Sequence, residues 1–200
     1  MPERPLATAA PPQRIGRLRA AEHDWYEGPD ARREARGRRV ARDLIELSRL
    51  QRGDERAEPT PVDLARLLRA ICADFPELCL SGPESVPFST DARRLVRVLS
   101  ALLENACLHG APPISVRYNA DEIVVLDGGP GLEPQLLERA TEPFVTGRRA
   151  PRRGVGLGLA IAAHQAAVLG ADLRLSNAPH GGAMAELRFP AAAAGAPRAA

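Results

Sequence analysis

Residues 91–131 read DARRLVRVLSALLENACLHGAPPISVRYNADEIVVLDGGPG, and this run decides the architecture. Asp91 is a ready N-cap, and behind it Leu95, Val98, Leu99, Leu102, Leu103 and Ala106 recur at helical spacing. Gly110 and Pro112-Pro113 end that helix. Ile114–Tyr118 then alternates apolar and polar, Asn119–Asp121 supplies a turn, and Glu122–Leu126 carries a buried Ile-Val-Val run. A helix, a strand pair and a glycine-rich bend thus follow one another without a break.

Working outward, Val62 to Asp74 reads as an amphipathic helix started by Thr60-Pro61, with strands expected at Glu77–Leu80 and Pro87–Ser89. Beyond the bend come a short helix near Pro134–Ala140, a basic loop and an apolar helix over Gly158–Gly170. Leu173–Leu175 and Ala183–Phe189 close the run as two strands around a Pro179–Gly182 turn. Helices on one face of a mostly antiparallel sheet make an α+β two-layer sandwich. Upstream, a segment from Gln13 to Trp25 reads as helical until Gly28-Pro29, and Asp30 is placed to cap an Arg-rich helix reaching Leu50. Val40, Leu44, Ile45, Leu47 and Leu50 give that helix one narrow apolar stripe, which needs a partner to be buried. Gly53–Pro61 is a polar linker. The expected organisation is a helical segment and linker over 1–57, a main α+β domain over 58–190 and a loose Ala-rich tail over 191–200.

Composition narrows the chemistry. All 27 basic residues are arginine. Without lysine there is no Walker-A loop, no Schiff-base lysine and no eukaryotic-type kinase lysine. A net charge of +2 and 4% aromatics argue against nucleic acid as a partner. Cys72, Cys79 and Cys107 show no C-x-x-C spacing and read as reduced core residues of a cytoplasmic protein. No apolar run is long enough to span a bilayer, and prolines interrupt any N-terminal signal region, so a soluble chain is expected.

Four segments carry chemistry. Asn105, in Leu102-Leu103-Glu104-Asn105-Ala106, sits at the edge of the apolar stripe with His109 one turn on. Its amide oxygen suits a hard cation such as Mg²⁺, although taken alone the residue reads first as a hydrogen-bond partner of a neighbouring backbone group. Asp127, ending a buried strand before Gly128-Gly129-Pro130-Gly131, suits the exocyclic amine of a base, or an ordinary Asp-Gly turn. Gly147 to Leu159 carries Arg148, Arg149, Arg152 and Arg153 ahead of Gly154, Gly156 and Gly158 and a helix. Backbone N–H groups at such a helix start attract phosphate, and guanidinium groups close over it; the alternative is a solvated loop. No strand precedes these glycines, which disfavours a dinucleotide fingerprint. Gly181-Gly182 is the fourth and weakest segment.

In order and spacing, LLENA, the DGGPG of 127–131, Glu142-Pro143-Phe144, and GVGLGLAI of 154–161 resemble the N, G1, F and G2 boxes of the histidine-kinase ATP-binding domain. Gly181-Gly182 resembles the G3 box. The resemblance covers residues 62–190 and implies a Bergerat-type ATP-binding fold of the superfamily shared with gyrase B. It implies that Asn105 ligates the Mg²⁺ of ATP, that Asp127 binds the adenine amino group, and that Gly129 and Gly131 shape the pocket. His109, Arg148, Arg149 and Leu159 complete the implied ATP-binding set, with Gly154, Gly156 and Gly158 on the phosphates. Residues 147–153 become the ATP lid and Phe144 its anchor. ARDLIELSRLQRGDERAEPTPVDL, residues 41–64, resembles the second helix of the family's dimerisation domain.

The resemblance has gaps. No histidine stands where the phosphoacceptor is expected, and His23-Asp24 lies too close to the second helix to replace it. Leu108 stands where relatives carry a basic residue, and Ala101 removes the side chain that ATPase relatives use as a general base. Ala183 and Met184 replace an expected threonine. Glu104 points about 100° away from Asn105 around the helix. The expected function is the ATP-binding catalytic part of a two-component sensor kinase. It would phosphorylate a histidine on a separate or missing dimerisation segment, in a homodimer or in trans, for relay to a response regulator. A non-catalytic ATP-binding regulator and an anti-sigma-type serine kinase are the alternatives.

Overall fold

A computed structural model describes residues 29–50, 55–75, 77–147 and 155–190. The elements are α1 (Pro29–Leu50), β1 (Thr60–Asp63), α2 (Leu64–Cys72), β2 (Leu78–Ser81), β3 (Pro87–Thr90) and α3 (Ala92–His109), followed by β4 (Ile114–Tyr118), β5 (Glu122–Leu126), α4 (Pro134–Leu137), α5 (Gly158–Val168), β6 (Asp172–Asn177) and β7 (Ala183–Arg188). The main sheet runs β2-β4-β5-β7-β6. Its β2–β4 pair is parallel and its other pairs are antiparallel. The α+β sandwich expected from the sequence is present.

One layer of helices covers one face of this sheet. Leu95, Val98, Leu99 and Leu103 of α3 are fully or almost fully buried, against Val116, Ile123 and Leu187 of the sheet. Each such side chain contributes about 1.5–3 kcal/mol through the area it removes from water. Helix α5 touches α3, β6 and α1, and it is apolar nearly all round, as a helix with neighbours on several sides must be. Its Ala162 and Ala166 are wholly buried, and their small size lets α3 approach closely.

Several boundaries differ from the sequence expectation, each for a local reason. Thr60–Asp63 is not the start of a helix but a strand, paired antiparallel with β3 in a separate two-stranded ribbon. Proline fixes an extended-compatible φ there, and Asp63 caps α2 instead, accepting from the Ala65 and Arg66 N–H groups at 2.9 and 3.3 Å. The expected 134–140 helix is a single turn without a side-chain cap. Pro29 opens α1, so Asp30 lies inside that helix instead of capping it. Only Cys72 of the three thiols is buried; Cys79 and Cys107 are exposed, because one points away from the core side of β2 and the other off the apolar stripe of α3. Burial pushes the Cys72 thiol up to about 11, which keeps it protonated. The expected Gln13–Trp25 helix, His23 and the 191–200 tail fall outside the described residues.

Helix α1 finds a partner for only part of its stripe, and by charge as much as by grease. Leu47 and Val155 pack against Leu157 and Ile161, while Leu44 and Ile45 remain exposed. The Arg97 guanidinium donates to Glu46 and Asp43, each at 2.8 Å, and Gln165 donates to Glu46 at 3.2 Å. Burial alone would lower the Arg97 pKa, but Glu46 and Asp43 outweigh it and raise it.

Asp91 does for α3 what Asp63 does for α2, accepting from the Arg93, Arg94 and Glu58 N–H groups at 3.1, 3.3 and 3.3 Å. Burial would raise both carboxyl groups, yet the N–H donors hold each below the ordinary 3.8. Their stabilisation is therefore complete above that value and disappears as pH falls through the lower folded values. Asp91→Asn keeps an oxygen acceptor but abolishes this titration. Its thermal unfolding should lose less stability than the wild type on acidification below about pH 4, and Asp91→Ala should cost about 1–2 kcal/mol at neutral pH.

Candidate functional site

Strand β5 ends at Leu126 and delivers Asp127 to the end of the sheet. The backbone ladder runs one step further, the Asp127 N–H donating to the Ala183 carbonyl at 3.1 Å. The Asp127 side chain is 5% exposed. Its Oδ1 accepts from the Gly129 N–H at 2.7 Å and the Ala183 N–H at 3.3 Å. Among the described residues no protein donor bonds to Oδ2, which leaves that oxygen for a ligand.

Glycines make this burial possible. A Cβ on Gly182, at φ +91°, would lie 1.7 Å from the Asp127 carbonyl oxygen, and one on Gly110 would lie 2.4 Å from the Asp127 Cγ. Neither gap accepts a side chain. Gly110 was expected only as the stop of α3; it also gives the carboxyl group its place. Its role depends on a contact with a residue seventeen positions later, so local sequence carries no signal for it.

Asp127 and Asn105 line one open, shallow cleft, together with Leu102, Leu132, Leu159 and Leu175. Ala183 and Met184 form part of the wall. The threonine expected there is thus replaced by apolar groups facing the cleft. Leu132 and Leu175 were not foreseen. The β-period shows which strand residues share a face, but not which loop leucine turns to meet them.

Of the other expected residues, Leu159 lines this cleft. His109, the last residue of α3, is exposed and is not among the cleft-lining residues. Ala101 is buried in the core. Gly158 opens α5, whose start has no side-chain cap, so the first-turn N–H groups are available to an anion. Phe144 has φ +66°, uncommon for a bulky residue, and its ring is 58% exposed. Its backbone N–H donates to the Gly156 carbonyl at 2.9 Å, so the backbone and not the ring joins the two ends of the expected lid. Gly156, at φ +74°, sits where a Cβ would meet the Val145 carbonyl at 2.4 Å. Arg148, Arg149 and Gly154 lie outside the described residues. Among the described residues no group of His, Cys, Asp and Glu is arranged to hold a metal by itself.

Residues 90–193 match the model of the histidine kinase-, DNA gyrase B- and HSP90-like ATPase family. The chain belongs to this ATPase family. The sensor protein CseC of Streptomyces avermitilis is 38% identical over 148 residues, and that of Streptomyces coelicolor is 39% identical over 152. These alignments cover 73% and 75% of this chain but 30% of each relative, so the chain spans under a third of their length. Among solved structures, full-length ShkA in complex with AMPPNP superposes with a TM-score of 0.62 at 25% identity, covering 74% of this chain and 34% of the other. The histidine kinase AdeS of Acinetobacter baumannii has a TM-score of 0.61 at 20% identity, covering 87% and 91%, and shares the fold.

The glycines of this ATPase domain should separate cleanly on substitution. Gly170 has φ +72° but nothing within 4 Å of an added Cβ, so Gly170→Ala should cost only the strain of the left-handed conformation, about 1–2 kcal/mol. Gly182→Ala forces the β6–β7 turn off Asp127 and should cost more than about 4 kcal/mol or prevent folding. Thermal unfolding of the two variants side by side checks the contrast.

Proposed function

We propose that this chain is the ATP-binding catalytic part of a two-component sensor kinase, acting at the cytoplasmic side and passing the γ-phosphoryl of ATP to a histidine. Family membership and the buried Asp127 with a spare carboxylate oxygen, facing the same cleft as Asn105, support this reading most directly. Residues 58–190 form the catalytic domain, residues 1–57 a dimerisation-like segment with its linker, and 191–200 a tail. Asp127 Oδ2 accepts from the adenine amino group, while Gly129 and Gly131 let the backbone curve past the ring. The Asn105 amide oxygen would hold the Mg²⁺ that accompanies the triphosphate, as an oxygen donor suited to a hard cation. Among the described residues no protein cluster forms a metal site by itself, which fits a metal held mainly by the nucleotide. When bound, the metal neutralises charge on the triphosphate.

The first-turn N–H groups of α5, together with Arg148 and Arg149, hold the phosphates. With the triphosphate fixed, a histidine imidazole nitrogen attacks the γ-phosphorus in line, the bond to the bridging oxygen breaks, and ADP leaves. The catalytic work is positioning and charge neutralisation. Ala101 offers no base to activate water, so hydrolysis without a histidine acceptor is slow. A histidine-bearing dimerisation domain, in a homodimer or a separate protein, supplies the acceptor, and a response regulator receives the phosphoryl group.

Calorimetry should show Mg²⁺-dependent ATP binding that weakens about 10- to 100-fold in Asp127→Ala, the loss of a charge-assisted hydrogen bond. Mixing with a histidine-bearing dimerisation domain and labelled ATP should yield an acid-labile phosphoprotein, and Asn105→Ala should abolish it. Nucleotide binding with no transfer to any such domain would favour a regulator that holds ATP without using it.

A further inference from the structure

Asn177, the last residue of β6, reaches across to a loop 45 positions earlier in the chain. Its Oδ1 accepts from the Leu132 N–H at 2.7 Å and its Nδ2 donates to the Leu132 carbonyl at 2.8 Å. The amide orientation is dictated by the backbone, because only one arrangement sets an acceptor against the N–H and a donor against the carbonyl. From Pro130 to Leu132, among the described residues, the loop makes no backbone-to-backbone hydrogen bond. The side chain therefore acts as the strand partner that this loop lacks.

Both ends of the clamp lead to the cleft. Leu132 lines it, and so does Leu175, two residues before Asn177 and on the same side of β6. Asn177 is also the register partner of Ala183, whose N–H bonds to the Asp127 carboxylate. Gly131 lies between, at φ +75°, and a Cβ there would sit 2.6 Å from the Asn177 Oδ1, so the chain can reach the amide only without a side chain. One residue thus ties the Leu132 wall of the cleft to the ladder that carries Asp127.

We propose that Asn177 is a positioning residue for nucleotide selection: by holding both backbone groups of Leu132 it fixes the wall against which the purine rests, and with it the distance from the ring edge to Asp127. This rests on the ATP-binding reading of the cleft. Asn177 is exposed, and water can satisfy Leu132 when the clamp is gone, so the bonds contribute little to folding and act mainly on placement. A fixed wall lets one carboxylate tell an amino group from a carbonyl at the purine edge; a loose wall lets the ring tilt away from the mismatch.

The test compares ATP and GTP binding to the full chain by calorimetry with Mg²⁺, alongside thermal unfolding of the free protein. Asn177→Leu should weaken ATP about five- to tenfold and narrow its preference over GTP, while the melting temperature moves by no more than about 2 °C. Asn177→Asp keeps the acceptor for the Leu132 N–H but sets a carboxylate against the Leu132 carbonyl, so it should fall between the two; it carries the test if the Leu variant does not fold. Unchanged ATP affinity and ATP-to-GTP ratio in these variants would overturn the clamp and leave the nucleotide site standing. Failure of both variants to fold, or a lower melting temperature with affinity unaltered, would make Asn177 purely structural and also overturn it. If the unaltered chain binds no adenine nucleotide, the underlying reading falls and the clamp with it.

Discussion

A buried carboxylate must find donors or leave the interior, and in this protein the solution for Asp127 organises everything around it. One oxygen takes the N–H groups of Gly129 and Ala183, which belong to the loop after β5 and to the start of β7. The backbone of the same residue adds a further rung to the β5–β7 ladder. Burying an acid in this way is tolerable only because the local N–H dipoles replace the water it lost. The glycines at 110 and 182 leave just enough room for it. Satisfied on one side, the group keeps its other oxygen for a ligand, which is the property a base-recognition site needs.

The start of α5 is built on different physics. It has no side-chain cap, so the backbone N–H groups of its first turn, beside the cleft-lining Leu159, carry the positive end of the helix dipole. The residues leading into it return to Phe144 through the Gly156 carbonyl, which holds residues 144 and 156 together. Helix α1 meets this neighbourhood too. Leu47 rests on Leu157 and Ile161, while Asp43 and Glu46 hold the Arg97 fork. Paired, partly buried charges of this kind give orientation more dependably than net stability. The docked helix therefore has a definite seat against the start of α5 and the Arg97 side chain of α3.

Strands and helices with strong internal periodicity were legible before any coordinates. The bounds of β4 and β5 follow the alternation of Ile114–Tyr118 and the Ile-Val-Val run, and α3 runs from its Asp91 cap to the glycine that ends it. Where periodicity is short the reading failed. Thr60–Asp63 contains too few residues to distinguish a strand from a helix start, and its pairing with Pro87–Thr90 is a long-range event. The cysteines show the same limit: residue type favours burial, but position on the strand or helix decides it, and Cys79 and Cys107 lie on the wrong sides.

Spacing along the chain and side-chain chemistry were enough to read the ordered motifs, the α+β class and the placing of Asn105, Asp127 and Leu159 at one cleft. Folding in three dimensions decided which partners complete them. Gly110 against Asp127, Asn177 against Leu132 and Leu47 against Ile161 each join residues distant in the chain. Such contacts arise from how the layers close on one another, and no local pattern encodes a neighbour that arrives from a different element.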